Sequence, residues 1–231
     1  MKNANEGDKK VVNYSENNII TLAGTIVSDK QFSHEVYGEG FYTFDLEVPR
    51  LSENSDIIPV TVSERILGER FIKGQKVVIE GQFRSYNNYE NERNKLVLTV
   101  FVKEIKEIES IDEIPNPNEI ILDGFVCKKP IYRTTPFGRE IADVLLAVNR
   151  AYNKSDYIPC IAWGRNARFC QNMTVGEKIK IWGRIQSRLY EKKFEDGTSE
   201  TRRAYEVSVS KMETERKEEL INLSNVEEQN A

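Results

Sequence analysis

Hydrophobic and polar residues alternate with a period of two in several segments of this chain. Ile120 and Leu122 alternate with Glu119 and Asp123, and the segment 178–185 alternates isoleucine or glycine with lysine, tryptophan and arginine. This period is typical of strands that bury one face. Further strands are predicted at 140–150, 157–163 and 203–211, and a short helix is predicted at 165–172.

The sequence repeats itself at a shift of 100 residues. Residues 18–65 and 118–165 align without a gap and share 13 identities in 48 positions. Ordinary residue usage would give about three identities by chance. After a two-residue slip the register resumes, with Gly81 on Gly183 and Ser85 on Ser187. The chain therefore contains two homologous units.

The order of the predicted elements within a unit indicates the fold. Five strands with one short helix after the third are typical of a five-stranded Greek-key barrel, the OB-fold. We therefore predict an all-β protein with a minor helix, built from two tandem five-stranded OB-fold Greek-key barrels. A β-sandwich is the alternative, although it usually has more strands. Glycines inside strands, such as Gly24 and Gly124, suit the tight bends where a small barrel closes.

Composition changes along the chain and predicts its domain boundaries. The segment between the units is rich in acidic residues and proline and cannot continue a sheet, so it is interpreted as a linker. The C-terminal segment holds six acidic residues against Arg216 and Lys217, which is typical of a short helix followed by disorder. The predicted organisation is a disordered N-terminus (1–17), OB-fold domain 1 (18–106), the linker (107–117), OB-fold domain 2 (118–212) and an acidic tail (213–231).

The net charge hides an uneven distribution. The whole chain has a formal net charge of −4, with 33 basic and 37 acidic residues. Residues 118–212 have a net charge of +6, whereas residues 18–105 have a net charge of −3. Because salt screens a field within about 10 Å, a basic unit inside an acidic chain can still attract a polyanion.

Several classes of protein are disfavoured by the composition. No apolar run approaches the roughly 20 residues needed to cross a bilayer, and the polar start lacks a signal-peptide core, so a soluble cytoplasmic protein is expected. Three cysteines without CxxC spacing and a single histidine, His34, poorly supply a zinc site or histidine-based catalysis. No carboxylate cluster suggests a metal-dependent nuclease. No metal, cofactor or catalytic residue is expected, and the protein is not expected to be an enzyme.

Four motifs of the second unit occur in a characteristic order. They are LAVNRAY at 146–152, DYIPCIAWGR at 156–165, WGRIQSRLY at 182–190 and YEV at 205–207. This set resembles the bacterial single-stranded DNA-binding protein family, in its tandem OB-fold form. The resemblance is strong over the second unit and, through the repeat, weak over the first. It implies a protein that coats unpaired DNA in DNA replication, recombination and repair, associated with the nucleoid.

The resemblance also implies which residues bind DNA. Bases of unpaired DNA stack on aromatic rings, while Lys and Arg hold the phosphates. The base-stacking positions of the family match Tyr152, Tyr157, Trp163 and Tyr190. Nearby cations assigned to phosphates are Arg150, Lys154, Arg165, Arg184, Arg188, Lys192 and Lys193. The alternatives are that these cations are solvated surface charges and that Trp163 and Trp182 are core residues. Trp182, however, shares its face with lysines, so we expect it to be partly exposed, in a subunit contact.

The first unit departs from the family at three stacking positions. Ser52, Ile57 and Ser63 stand where the second unit has Tyr152, Tyr157 and Trp163. Weaker candidates for DNA contact in this unit are Arg50, Arg65, Arg84, Tyr86 and Tyr89. We predict that the second unit binds DNA and that the first mainly supports assembly. Asp56 and Asp156 recur at the start of a strand and are expected to cap turns, and His34 is expected in a surface loop.

Assembly and partners are expected by resemblance alone. Two folds per chain imply a homodimer with four OB-folds. Family members commonly end in an acidic tip with a terminal Pro-Phe that recruits replication and repair proteins, and because this chain ends in Gln229, Asn230 and Ala231, recruitment by that route is not expected. Two other functions stay open: an accessory or primosomal protein that acts through protein contacts, and an RNA-binding OB module, since stacking does not separate ribose from deoxyribose.

Overall fold

The structure is a computed structural model that describes residues 16–68, 71–90, 93–194 and 197–214, with the backbone alone at 89, 90 and 93–95. Most of the predicted disordered N-terminus and most of the predicted acidic tail lie outside the described residues. Among the described residues, no helix is long and apolar enough to cross a membrane.

The chain is built mainly of β-strands, as the alternating pattern predicts. The first unit contains β1 (Asn18–Ile26), β2 (Gln31–Val36), β3 (Glu39–Pro49), β4 (Ser55–Ser63), α1 (Glu64–Leu67), β5 (Lys76–Glu90) and β6 (Arg93–Glu107). A 3-10 turn follows at Ile111–Glu113. The second unit contains β7 (Asn118–Val126), β8 (Ile131–Thr134), β9 (Glu140–Arg150), β10 (Lys154–Trp163), α2 (Arg165–Cys170), β11 (Lys178–Lys193) and β12 (Ser199–Thr214).

Five strands of each unit pair in a ring. In the first unit β1 pairs with β3 and β5, β3 pairs with β4, and β5 pairs with β6, all antiparallel, while β4 and β6 pair in parallel. The second unit repeats every pairing with β7, β9, β10, β11 and β12. A helix after the third barrel strand completes the OB-fold pattern in both units. The prediction of two tandem OB-folds is confirmed.

Glycine allows the first strand of each ring to approach the second. A Cβ added at Gly24 would lie 2.3 Å from the carbonyl oxygen of Glu47, and one added at Gly124 would lie 2.5 Å from that of Ala147. These contacts occur where β1 meets β3 and where β7 meets β9. Only glycine fits such a close backbone approach.

Each unit also contains a sixth strand that the sequence does not predict. β2 pairs with β3, and β8 pairs with β9. All six residues of β2 are exposed. Because neither face of β2 is buried, selection leaves no alternation of hydrophobic and polar residues to detect. His34 therefore lies in a strand rather than in the predicted loop.

A pseudo-twofold relation connects the two units. Strands β1 and β7 pair antiparallel, with Ile20 opposite Ile120 at the centre, Asn18 opposite Leu122 and Leu22 opposite Asn118. The repeat shift of 100 residues therefore maps this pairing onto itself. The two barrels consequently share a continuous sheet in which β5, β1, β7 and β11 are consecutive strands.

Candidate nucleic-acid interface

The outer side of β10 carries two of the predicted stacking residues. Tyr157 and Trp163 alternate with side chains that fill the barrel, and they are 47% and 37% exposed. The indole Nε1 of Trp163 donates a hydrogen bond to Oγ of Ser208 on the adjacent β12, at 3.1 Å. This bond holds the ring against the outer sheet surface while about a third of the residue stays exposed. Trp163 is thus not a core residue.

The same outer surface continues onto β11. Arg184 lies opposite Ser208, Arg188 opposite Ala204 and Tyr190 opposite Arg202 in the pairing of β11 with β12. Tyr190 is 38% exposed, and the guanidinium of Arg188 lies 5.7 Å from the centre of its ring. We name the outer surface of β10, β12 and β11 the β10 face. Its members among the predicted site residues are Tyr157, Trp163, Arg184, Arg188 and Tyr190.

The remaining predicted site residues of the second unit surround the β10 face on loops and turns. Tyr152 is 93% exposed in the turn between β9 and β10, where its φ of 61° is in the left-handed region. Lys154 and Arg165 are exposed at the start of β10 and at the start of α2. Lys192 and Lys193 end β11, and Nζ of Lys192 lies 5.5 Å from the ring centre of Phe194.

Two residues near the tip of the β11–β12 hairpin were not predicted. The centre of the Phe194 ring lies 5.5 Å from Nζ of Lys192 and 5.7 Å from the guanidinium of Arg202, so two cations lie near it. The signal available in the sequence was the interleaving of aromatic and basic residues, which continues past Tyr190 to Phe194. The hairpin therefore extends the predicted mixture of rings and cations beyond the barrel.

A cluster of polar side chains joins the two units, and we name it the seam; its members are Asp56, Arg50, Ser187 and Arg184 on one side and Asp156, Arg150, Ser85 and Arg84 on the other. Asp56 lies in this seam rather than in a turn cap. It is buried, and its carboxylate accepts hydrogen bonds from Arg50 at 2.6 and 2.8 Å and from the backbone N–H of Ser187, in the second unit, at 2.6 Å. Nη1 of Arg184, also in the second unit, lies 3.2 Å away. Burial alone raises the pKa of Asp56, but the bonds from Arg50 and Ser187 and the charges of Arg50 and Arg184 outweigh it, so the pKa is lowered.

Asp156 occupies the equivalent position on the other side of the seam, with fewer partners. It is buried and accepts a hydrogen bond from the backbone N–H of Ser85, in the first unit, at 2.7 Å. Nε of Arg150 lies 3.3 Å from Oδ2, but the pair lacks hydrogen-bond alignment. Burial raises the pKa of Asp156 above its ordinary value, against the opposing effects of Ser85, Arg150 and Arg84. The prediction that Asp56 and Asp156 cap turns was wrong.

The seam affects three cations that the sequence proposes for DNA contact, two of them at phosphates and Arg50 as a weaker candidate. Arg50, Arg150 and Arg184 each lie within ion-pair distance of a buried aspartate. Their side chains are partly exposed. The sequence signal for the seam was the recurrence of both Asp56/Asp156 and Ser85/Ser187 in the repeat, because each aspartate binds the serine of the other unit.

Two equivalent positions of the repeat hold a glutamine and an arginine in reversed order in the two units. In the first unit Nη2 of Arg84 donates to Oε1 of Gln82 at 2.9 Å, and in the second Nη2 of Arg184 donates to Oε1 of Gln186 at 3.3 Å. After the two-residue slip, Arg84 corresponds to Gln186 and Gln82 to Arg184. The same bond is therefore made with its two partners in the opposite order.

The weaker candidates of the first unit occupy different environments. Arg65 is ion-paired with Glu39. Tyr86 is 50% exposed on β5, and the side chain of Tyr89 lies outside the described residues. Tyr86 and Tyr190 line a groove of about 780 Å³ between the units, to which β12 contributes Arg202 and Arg203. One candidate from each unit thus borders the same groove.

Comparison with known proteins connects this geometry to a family. A family model described as the single-strand binding protein family matches residues 117–214. A single-stranded DNA-binding protein of Clostridium tetani is 40% identical over 88 residues, which are 35% of this chain and 59% of that protein. Single-stranded DNA-binding protein B of Bacillus subtilis is 36% identical over 84 residues, which are 32% of this chain and 72% of that protein.

Solved structures extend the likeness to both units. The single-stranded DNA-binding protein of Thermus aquaticus superposes with a TM-score of 0.67 at 19% identity, covering 87% of this chain and 93% of that one. At this identity the likeness shows the fold alone. The chain spans about half to three fifths of the length of the first curated relatives that it matches.

Proposed function

The chain belongs to the single-strand binding protein family, and we propose that it binds and coats unpaired DNA during replication, recombination and repair. The observation that carries the proposal is the β10 face, where Tyr157, Trp163 and Tyr190 are partly exposed beside arginines. In this proposal the protein acts by binding rather than by catalysis, in the cytoplasm with the nucleoid. The second OB-fold domain holds the DNA, and the linker joins it to the first.

Stacking accounts for binding without sequence preference. Every base has a flat face, so an exposed ring binds any of the four, at about 1 to 3 kcal/mol per base. Trp163 supports this role because its N–H is already bonded to Ser208, which fixes the ring before the base arrives. A ring that is fixed in advance loses little conformational entropy on binding.

The phosphate contacts are proposed for cations that have no buried aspartate beside them. Lys154, Arg165 and Lys193 are exposed around the β10 face, and Arg188 is exposed on it. Arg150 and Arg184 primarily hold the seam, because they face Asp156 and Asp56. The net charge of +6 over residues 118–212 supports an electrostatic contribution from this unit.

We propose a homodimer with four OB-folds. The shared sheet carries a row of apolar side chains on its outer side, where Ile19 lies opposite Ile121 and Ile121 opposite Trp182. Ile19 is exposed, and Trp182 is partly exposed, as predicted, with Nζ of Lys211 4.5 Å from its ring centre. Burying this row against a second copy would remove apolar area from water. Replication and repair proteins are the proposed further partners.

The function is tested by titrating a fluorescently labelled oligo(dT) of about 35 nucleotides, long enough for several sites of roughly 4 to 16 nucleotides per OB-fold. Wild type, Trp163→Ala and Trp182→Phe are compared at two salt concentrations. Trp163→Ala is expected to cost about 1 to 3 kcal/mol of binding free energy, whereas Trp182→Phe, in the apolar row where β11 meets β7, is the matched control.

Two outcomes contradict the proposal. Wild type that does not bind oligo(dT) at low salt would remove the function, and an unchanged affinity of Trp163→Ala would remove Trp163 from the site. Competition with oligo(U) separates DNA from RNA binding, because OB-folds serve both polymers.

A further inference from the structure

The first unit contains a surface cluster of aromatic rings that the proposed function does not use. The rings of Phe41, on β3, and Phe101, on β6, lie with their centres 5.7 Å apart and their planes tilted by 35°. The imidazole of His34 stacks on Phe41 at 4.9 Å and 8°. Both phenylalanines are partly exposed. We name Phe41 and Phe101 the phenylalanine platform.

The platform lies where the second unit has Trp163. In the second unit Trp163 lies opposite Ile141 on β9 and donates to Ser208 on β12. In the first unit the equivalent of Trp163 is Ser63, which lies opposite Phe41 on β3.

The pairing of β6 completes this correspondence. Thr61 is the partner of Phe101 in the parallel pairing, as Ile161 is the partner of Ser208 in the second unit. Phe101 therefore occupies the place of Ser208. Where the second unit has one ring on the central strand and small or aliphatic neighbours, the first unit has a serine on the central strand and rings on both neighbours. The first unit therefore keeps an aromatic surface at this place, but its rings are on the neighbouring strands β3 and β6 instead of on β4.

A guanidinium lies directly on this platform. The Cζ atom of Arg84, on β5, lies 3.9 Å from the ring centre of Phe101. Among the described residues Nε of Arg84 lacks a hydrogen-bond partner, and because this atom is buried, an anion would be met by the outer Nη groups of the same guanidinium.

A second cation follows on the same strand as Phe101. Lys103 is exposed two residues after Phe101, and its pKa is lowered by partial burial and by the positive charge of Arg84. A cation whose pKa is lowered by a neighbouring positive charge gains from an added negative charge. Rings and cations interleave here, as single-strand binding requires.

We infer that the phenylalanine platform is a second base-stacking site for unpaired DNA, with Arg84 and Lys103 at the phosphates. The inference rests on the proposed function of the protein and adds a base-stacking site to the first unit, which the sequence predicts mainly to support assembly. Arg84 faces Arg150 of the second unit across the seam. In the sequence, Arg150 is followed by the turn that carries Tyr152, and Lys154 then begins β10.

The experiment measures affinity and the number of nucleotides occluded per chain at saturation, with labelled oligo(dT) of about 35 nucleotides. The full chain is compared as wild type, as Phe41→Leu/Phe101→Leu, as Trp163→Ala and as Phe169→Leu. Phe169 is an exposed phenylalanine on α2, away from the strand faces, and is the matched control. Leucine keeps most of the apolar volume, and circular dichroism checks the fold of each variant.

The platform variant is expected to bind at least about fivefold more weakly, the smallest effect of losing one stacked base, and to occlude fewer nucleotides. Phe169→Leu is expected to behave as wild type. If the platform variant keeps the wild-type affinity and occluded length while Trp163→Ala loses affinity, the inference is overturned and the proposed function stands. If wild type itself does not bind, the proposed function fails first.

A fluorescence readout covers the case in which the double variant does not fold. Phe101→Trp in a Trp163→Phe background places a reporter on the platform, and Trp163→Phe alone, which keeps only Trp182, is the blank. Oligo(dT) is expected to quench the reporter beyond the blank. Binding of the labelled oligonucleotide without that extra quenching would also overturn the inference.

Discussion

The two aspartates of the seam provide a matched pair of perturbations. Asp56 and Asp156 are equivalent by the repeat and are both buried, yet Asp56 has two arginine partners and Asp156 lies beside one poorly aligned guanidinium. Asp56→Asn would present an amide N–H to the donors of Arg50. Asp156→Asn would keep an oxygen acceptor for the N–H of Ser85 and remove a buried charge. We expect the two substitutions to differ strongly in their effect on stability.

The contacts set the magnitudes. Breaking a buried ion pair from one side costs about 3 to 5 kcal/mol, but the side chains of Arg50 and Arg184 are 28% and 38% exposed and recover hydration. We therefore expect Asp56→Asn to lower the free energy of unfolding by about 2 to 4 kcal/mol. Asp156→Asn is expected to cost about 1 kcal/mol or less, since one neutral hydrogen bond is kept and a desolvated charge is removed.

Urea unfolding followed by circular dichroism measures both effects. With a slope of about 3 kcal/mol per molar, a loss of 3 kcal/mol lowers the midpoint by about 1 M. Equal midpoints for the two variants, or a larger loss for Asp156→Asn, would refute the reasoning from the number and alignment of the partners.

The stability of the two variants relative to wild type is expected to change in opposite directions with pH. The pKa of Asp56 is lowered in the fold, so its stabilisation is present above the ordinary carboxyl pKa and is lost as pH falls through the folded value. The pKa of Asp156 is raised, so stability falls as pH rises from the ordinary value through the folded value. Relative to wild type, Asp156→Asn should therefore improve with rising pH, whereas Asp56→Asn should worsen.

Two further predictions concern binding and assembly. Arg188→Ala is expected to weaken oligo(dT) binding and to reduce the slope of log affinity against log salt by about 0.7, the value for one phosphate contact on a single strand; titration at several salt concentrations measures it, and an unchanged slope would show that Arg188 makes no such contact. Ile19→Glu is expected to place a charge in the apolar row and convert the proposed dimer into a 26.7 kDa monomer in light scattering. A wild-type protein that is already monomeric would contradict the homodimer.

Much of the fold can be predicted from the sequence because the repeat allows a strand recognised in one unit to be assigned in the other. The alternation of β7 and β9 is visible in one unit, and the repeat transfers it to the other, where the pattern is weaker. The outward position of Trp163 follows from its place among the small and aliphatic residues of β10. Strand β2 escapes prediction because it buries neither face.

The seam and the phenylalanine platform depend on contacts that no local pattern encodes. Asp56 and Ser187 are 131 residues apart and meet only when both barrels are folded. Phe41 and Phe101 lie on β3 and β6, the two neighbours of β4. The repeat aligns Trp163 with Ser63 on β4, so the alignment by itself suggests that the first unit has lost its ring. A search for substitutions at the neighbours on adjacent strands would have recovered the platform.

Covalent fusion frees the two halves of the pseudo-twofold pairing from having to evolve together. In a symmetric dimer of one gene product every substitution at the contact occurs twice, so a change that suits one side must suit both. Here the Gln82/Arg84 bond and its reversed counterpart Arg184/Gln186 differ in order, and Asp56 has an arginine partner from the other unit that Asp156 lacks. Because both halves are tethered at high effective concentration, dilution does not separate them. Specialisation of one barrel therefore need not weaken its attachment to the other.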